Sequence, residues 1–106
     1  MDFGPPRGSA PAYLHPCVVV QNNALNRSRV NTTIVCAITS NLARAHVPGN
    51  IALRKSEANL LRRSVVNVSQ VFTVDKVYLL EKIGTLSRDR VVEILDGISM
   101  VLMPTG

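Results

Sequence analysis

The stretch His15–Asn41, HPCVVVQNNALNRSRVNTTIVCAITSN, decides how the chain folds. Two runs rich in β-branched and apolar residues, Cys17-Val18-Val19-Val20 and Thr33-Ile34-Val35-Cys36-Ala37-Ile38, enclose a linker of Asn, Arg and Ser. Runs of this length and composition predict buried strands, and the Asn- and Ser-rich linker predicts an exposed connection. His15-Pro16 precedes the first strand and Thr39-Ser40-Asn41 follows the second, so groups able to move protons or donate hydrogen bonds sit at strand ends. The linker carries Arg27 and Arg29.

Working outward, residues 1–14 (MDFGPPRGSAPAYL) predict a Pro/Gly loop with no strand of its own. Leu42 to Asn50 is a turn-rich connector, and Ile51-Ala52-Leu53 predicts a short strand. From Arg54 to Arg63 there is room for one or two helical turns, with Ser56 as the N-cap. Ser64 to Val68 predicts another strand, Asp75 to Leu80 a helical turn, and Lys82 to Leu86 a last strand. Ser87 caps the clearest helix, with Asp89 in its first turn. Val91, Val92, Leu95, Ile98, Val101 and Leu102 form an apolar stripe along it, and Pro104 and Gly106 stop it. Many short strands and one terminal helix predict a single α+β domain over residues 1–106, built as a small β-barrel.

At 106 residues the chain buries a core only just large enough to fold alone. Its 46% hydrophobic and 18% charged residues exclude a disordered chain. A net charge of +5 and an isoelectric point near 9.9 favour an anionic partner, either nucleic acid or an acidic protein. Cys17 and Cys36 lie inside apolar runs and read as small buried hydrophobes, against a disulfide or a nucleophile. With only His15 and His46 besides, no metal-ligand spacing arises, and no cofactor is expected. No signal segment or long apolar run is present, which predicts a cytoplasmic protein with no membrane contact.

Three blocks carry a resemblance. The first comprises Gly8-Ser9, Pro16, Val18-Val19-Val20-Gln21-Asn22, Asn26-Arg27-Ser28, Thr33-Ile34-Val35 and Ile38-Thr39-Ser40-Asn41. The second is Ser69-Gln70-Val71-Phe72-Thr73-Val74-Asp75-Lys76, and the third Gly84-Thr85-Leu86-Ser87. In this order they resemble the MazF/PemK family of toxin endoribonucleases, whose fold is a small SH3-like barrel with a C-terminal helix. The resemblance implies sequence-selective, metal-independent cleavage of single-stranded RNA, a homodimer, and an acidic, MazE-like antitoxin. It also implies an N-terminal strand that this sequence lacks ahead of its 1–14 loop, either because the start lies upstream or because that strand is missing.

The family is understood to cleave with an Arg before the Pro and a Thr after the second strand. Carried over by position, the Thr is Thr39 and the Arg is replaced by His15. Arg grips phosphate with a fork of fixed charge, whereas imidazole titrates near neutrality and offers one proton. His15 therefore reads either as an acid/base group or as the mark of a weakened enzyme that binds RNA or antitoxin without cleavage. The family's Glu and Arg of the second block become Ser69 and Phe72, and Ala10-Pro11 stand where Glu-Gln is usual. Phe72 can stack on an unpaired base or belong to the core. Arg7, Arg27, Arg29, Ser40, Asn41, Arg44 and Gln70 complete the candidate RNA-binding set, and Arg54, Lys55, Arg62 and Arg63 a second basic patch.

Overall fold

The computed structural model describes residues 15–104. The expected 1–14 loop, the expected lack of an N-terminal strand and Arg7 fall outside these residues. The two runs of the opening stretch form strands β1 (Cys17–Val19) and β2 (Thr32–Thr39), joined by a linker holding a single helical turn, α1 (Asn23–Asn26). After a 3-10 turn at Leu42–His46 come β3 (Ile51–Leu53), a second 3-10 turn at Glu57–Asn59, and β4 (Ser64–Asp75). A third 3-10 turn, Lys76–Tyr78, and the helix α2 (Arg88–Leu102) complete the chain. The strands pair antiparallel in the order β1-β2-β4-β3, a curled half-barrel with α2 against one face. This is the α+β architecture expected.

β4 extends well past the predicted Val68 because a bulge lets it continue. Cys36 pairs with Val71 and Ala37 with Asn67, so Val68, Ser69 and Gln70 have no ladder partner. Such an insertion bends the strand and sharpens its twist. The Asn50 amide oxygen accepts the Val68 N–H at 3.0 Å, replacing a ladder bond lost in the bulge.

The main core joins Cys36, Ile38, Leu53, Leu60, Val66 and Val68 to Ile94 of α2, with Val18, Val20 and Ile98 packed against them. The expected helix stripe is therefore displaced: Ile94 and Gly97 are the buried positions, while Val91, Val92, Leu95, Val101 and Leu102 remain substantially exposed. Gly97 decides this, because its bare Cα lies against Gly49 and Val68 and turns the helix toward its Ile94 side. Burying Ile94 is worth about 1.5–3 kcal/mol.

Residues 79–86 do not form the expected last strand. The Ile83 carbonyl accepts the Asn59 amide at 2.8 Å instead of a neighbouring strand's N–H, and Gly84 lies against the backbone of Ala58. Nor does Ser56 act as the expected cap. It stands before the Glu57–Asn59 turn with φ 70° and makes no side-chain capping bond, and Ala58 and Asn59 are also left-handed. Each such residue costs on the order of 1 kcal/mol and must be held from outside. Glu57 supplies the hold: Arg90 Nε donates to its carboxylate at 2.7 Å, a second Arg90 nitrogen at 3.2 Å, and the Arg54 N–H at 3.0 Å.

The Arg90 hydrogen bonds keep the Glu57 carboxyl below the usual carboxylate range. The folded state thus favours the ionised form, and that stabilisation is present above the ordinary value near 4.5 and lost as the pH falls through the folded value. Glu57→Gln is expected to lower the unfolding free energy at pH 7 by about 1–2 kcal/mol. Urea midpoints of the wild type and the variant should draw together as the pH falls from 4.5 through the folded value; a gap that stays constant would mean the ion pair is not its source.

Candidate RNA-cleavage site

The register of β1 on β2 builds the site. Cys17 faces Ala37 and Val19 faces Val35, while Ile38 N donates to Pro16 O and Val20 N to Ile34 O. Continued by two residues, the same register sets His15 across from Thr39 as a non-hydrogen-bonded pair. Side chains of such pairs share a face and lie closest of all cross-strand neighbours, with Cβ atoms about 4.5–5.5 Å apart. The two residues singled out from the sequence therefore fall at the same end of the sheet. His15 is exposed and Thr39 half-buried.

Local bonding orients the Thr39 hydroxyl. Its oxygen accepts the Asn41 N–H at 3.1 Å, and the Asn41 side chain accepts the Ala43 N–H at 3.2 Å and so caps the following 3-10 turn. With a lone pair engaged, the hydroxyl keeps its own proton to donate. Ser40, Asn41 and Arg44 follow directly and sit at the same end of the sheet. Asn50, which the sequence did not single out, donates to the Arg44 carbonyl at 2.9 Å and ties that turn to the β4 bulge.

The remaining candidates lie elsewhere. Gln70 is exposed in the bulge. Phe72 pairs with Val35, so it lies on the sheet face shared by Val35, Ala37 and Thr39, and is 42% exposed. That exposure leaves it outside the core. Arg27 and Arg29 belong to the linker at the opposite end, where Thr32 pairs with Asp75. Seven residue steps of strand, about 23 Å, separate that end from Thr39.

That far end is where most of the recognisable motif residues act. Gln21 Nε2 donates to Asn26 Oδ1 at 2.9 Å, Thr33 Oγ1 donates to the same oxygen at 2.7 Å, and Asn26 Nδ2 donates back to Gln21 O at 3.0 Å. Lys76, from the end of β4, donates its Nζ to Asn26 O at 2.6 Å and to Ser28 O at 3.5 Å. Together they clamp the Arg27–Arg29 loop. Lys76→Met is expected to cost about 1.5–3 kcal/mol, the usual net worth of a hydrogen bond to a charged group. Trypsin should cut the variant faster after Arg27 and Arg29 than the wild type, and equal rates would sink the clamp.

Neither cysteine forms a disulfide, and Cys36 is fully buried, donating to Asn67 O at 3.1 Å. Burial, reinforced by nearby Cys17, pushes its pKa up to about 11, and burial raises that of Cys17 as well. Such thiols are poor nucleophiles. Beside β1 runs an apolar cleft of about 810 Å³, lined by Val18, Val20, Leu79, Ile83, Val91 and Leu95 among others. Among the described residues no helix is long and apolar enough to cross a membrane.

Comparison with known proteins agrees with this fold. Solved mycobacterial structures share the fold: an endoribonuclease, TM-score 0.72 at 22% identity, covering 87% of this chain and 84% of that one. Another, an endoribonuclease in complex with its cognate antitoxin, has TM-score 0.73 at 22% identity, with 92% and 88% covered. In sequence, the endoribonuclease MazF6 of Mycobacterium tuberculosis is 41% identical over 101 residues, 95% of this chain and 89% of the relative. The endoribonuclease MazF of Staphylococcus epidermidis is 32% identical over 101 residues, 95% and 83% of the two chains. The family described as PemK-like, MazF-like toxin of type II toxin–antitoxin system matches residues 1–102, and the chain belongs to it.

Proposed function

We propose that this chain is the toxin of a type II toxin–antitoxin pair, a metal-independent endoribonuclease that cuts single-stranded RNA in a sequence-selective way. The β1–β2 register, which continued past Cys17 and Ala37 sets His15 opposite Thr39, carries the reading. In the reaction, His15 acts as the acid/base group and takes the proton of the 2′-OH. The 2′-oxygen attacks phosphorus, the bond from phosphorus to the 5′-oxygen breaks, and the leaving oxygen takes a proton from the imidazolium or from water. A 2′,3′-cyclic phosphate and a 5′-hydroxyl remain. The Thr39 hydroxyl donates to a non-bridging oxygen as charge builds on the phosphorane.

Ser40, Asn41, Arg44 and Gln70 hold the nucleotides flanking the cut, and Phe72 stacks on an unpaired base. Arg27 and Arg29 contact RNA farther from the scissile bond, and Arg7 adds to the basic set. The protein acts in the cytoplasm as a homodimer; the exposed apolar residues Val91, Leu95 and Leu102 of α2 support a second copy on that helix. An acidic antitoxin, MazE-like by family, matches the chain's net charge of +5.

The test is incubation of the purified protein with a long single-stranded RNA in EDTA, with cut ends mapped. Discrete cuts leaving cyclic phosphate ends, lost in both His15→Ala and Thr39→Ala, are expected. No cuts between pH 5 and 9 from folded protein would overturn the assignment and leave a module that only binds.

A further inference from the structure

The hairpin between β3 and β4 closes where Leu53 pairs with Ser64, and its connecting residues carry Arg54, Lys55, Arg62 and Arg63, four of the chain's twelve Lys and Arg. All four are exposed. The one carboxylate in this connection, Glu57, is turned inward and taken by Arg90, 4.0 Å from the Arg54 Nε and therefore only weakly opposed to it. The tip is thus left cationic. Leu61, between these cations, is 88% exposed, while its neighbour Leu60 is buried.

Register fixes where this tip lies. Thr39 pairs with Val65, and Ser64, Arg63 and Arg62 lead on from it, so the tip projects from the sheet end that carries His15 and Thr39. Two strand spacings, about 10 Å, separate β2 from β3 across that end. A polyanion gripped at His15 and Thr39 leaves either past β1, beside the apolar cleft, or across β4 and β3 over the tip. The charge favours the second route. We propose that the β3–β4 tip is an RNA-backbone site. Arg54, Lys55, Arg62 and Arg63 take successive phosphates of the strand leaving the cleavage pair, and Leu61 packs on a base. This rests on the assignment of His15 and Thr39 to cleavage.

The experiment measures binding of an uncleavable 2′-O-methyl oligoribonucleotide across a range of salt, by fluorescence anisotropy. Each phosphate contact on a single strand adds about 0.7 to the slope of log affinity against log salt. The variant R54Q/K55Q/R62Q/R63Q should lose about 10- to 100-fold in affinity at low salt, with a slope shallower by about 2–3. R54K/R62K/R63K, which keeps the charge, should keep the slope. An unchanged slope and affinity in the glutamine variant, at an unchanged melting temperature, would overturn the tip site and leave the cleavage pair standing. Loss of poly-glutamate binding with RNA binding retained would overturn it in favour of a protein contact. Wild-type protein that binds the oligonucleotide but makes no His15- and Thr39-dependent cuts would remove the cleavage assignment, and with it the proposed path of RNA from those residues over the tip.

Discussion

Thr39→Val is expected to lower kcat for RNA cleavage by about 10²–10³, the usual loss on removing one donor to an oxyanion in a prearranged site. Valine keeps the strand's β-branched shape, so the fold should be intact and the deficit chemical. His15→Ala is expected to lose about 10²–10⁴, the range contributed by a positioned proton-transfer group. The two differ in a second readout. With His15 as the acid/base group, Thr39→Val should keep the shape of the wild type's pH–rate profile, and His15→Ala should change it. Because both side chains serve one phosphorane, their losses should not add, and the double variant should fall little below His15→Ala. A pH profile unchanged by loss of the imidazole, or losses that multiply in full, would place proton transfer on another group.

That His15 and Thr39 fall at one end of the sheet was legible because an antiparallel register is a local arithmetic. Two β-branched runs with a turn-forming linker predict a β1–β2 pair, and residues flanking the first strand's start and the second strand's end meet automatically. The same arithmetic separates what sequence proximity groups together. Arg27 and Arg29 lie between the strands that carry His15 and Thr39, yet a connecting loop belongs to the opposite end of the sheet. Gln21, Asn26, Thr33 and Lys76, recognisable as motif residues, prove to hold that loop at the far end of the sheet. What the sequence did not disclose depends on contacts between distant segments. The bulge at Val68–Gln70 rests on the Asn50 amide, and the left-handed turn after Ser56 rests on Arg90 of α2. Apolar periodicity located the helix but not its buried side, since Gly97 carries no hydrophobic signal and Ile94 sits where the packing of that glycine turns it.

Gly97→Ala is expected to destabilise the fold despite putting a better helix former into the interior of α2. Alanine gains about 1 kcal/mol of helix propensity over glycine. Against this, a Cβ at position 97 would lie 2.4 Å from the Gly49 carbonyl oxygen and 3.0 Å from a Val68 methyl. The first contact is with backbone, and Gly49 has little freedom to yield, holding φ 87° between the turn residues and Asn50. α2 must therefore lift from β4, loosening Ile94 in the core beneath it. Overpacking of this kind costs typically about 1–3 kcal/mol, and a rigid neighbour puts it at the upper end, so a net loss of about 1–2 kcal/mol should remain after the propensity gain. Gly97→Val adds two methyl groups and a poorer helix former and should lose about 3 kcal/mol or more, a large share of what a domain this size has to spare. The damage should reach the site as well. Asn50, next to Gly49, holds both the β4 bulge and the turn bearing Arg44, so displacing Gly49 shifts the support behind Thr39 and its neighbours. Urea unfolding of both variants, with cleavage assayed well below their midpoints, checks this. Wild-type stability in Gly97→Ala would mean that α2 does not pack this closely on the sheet.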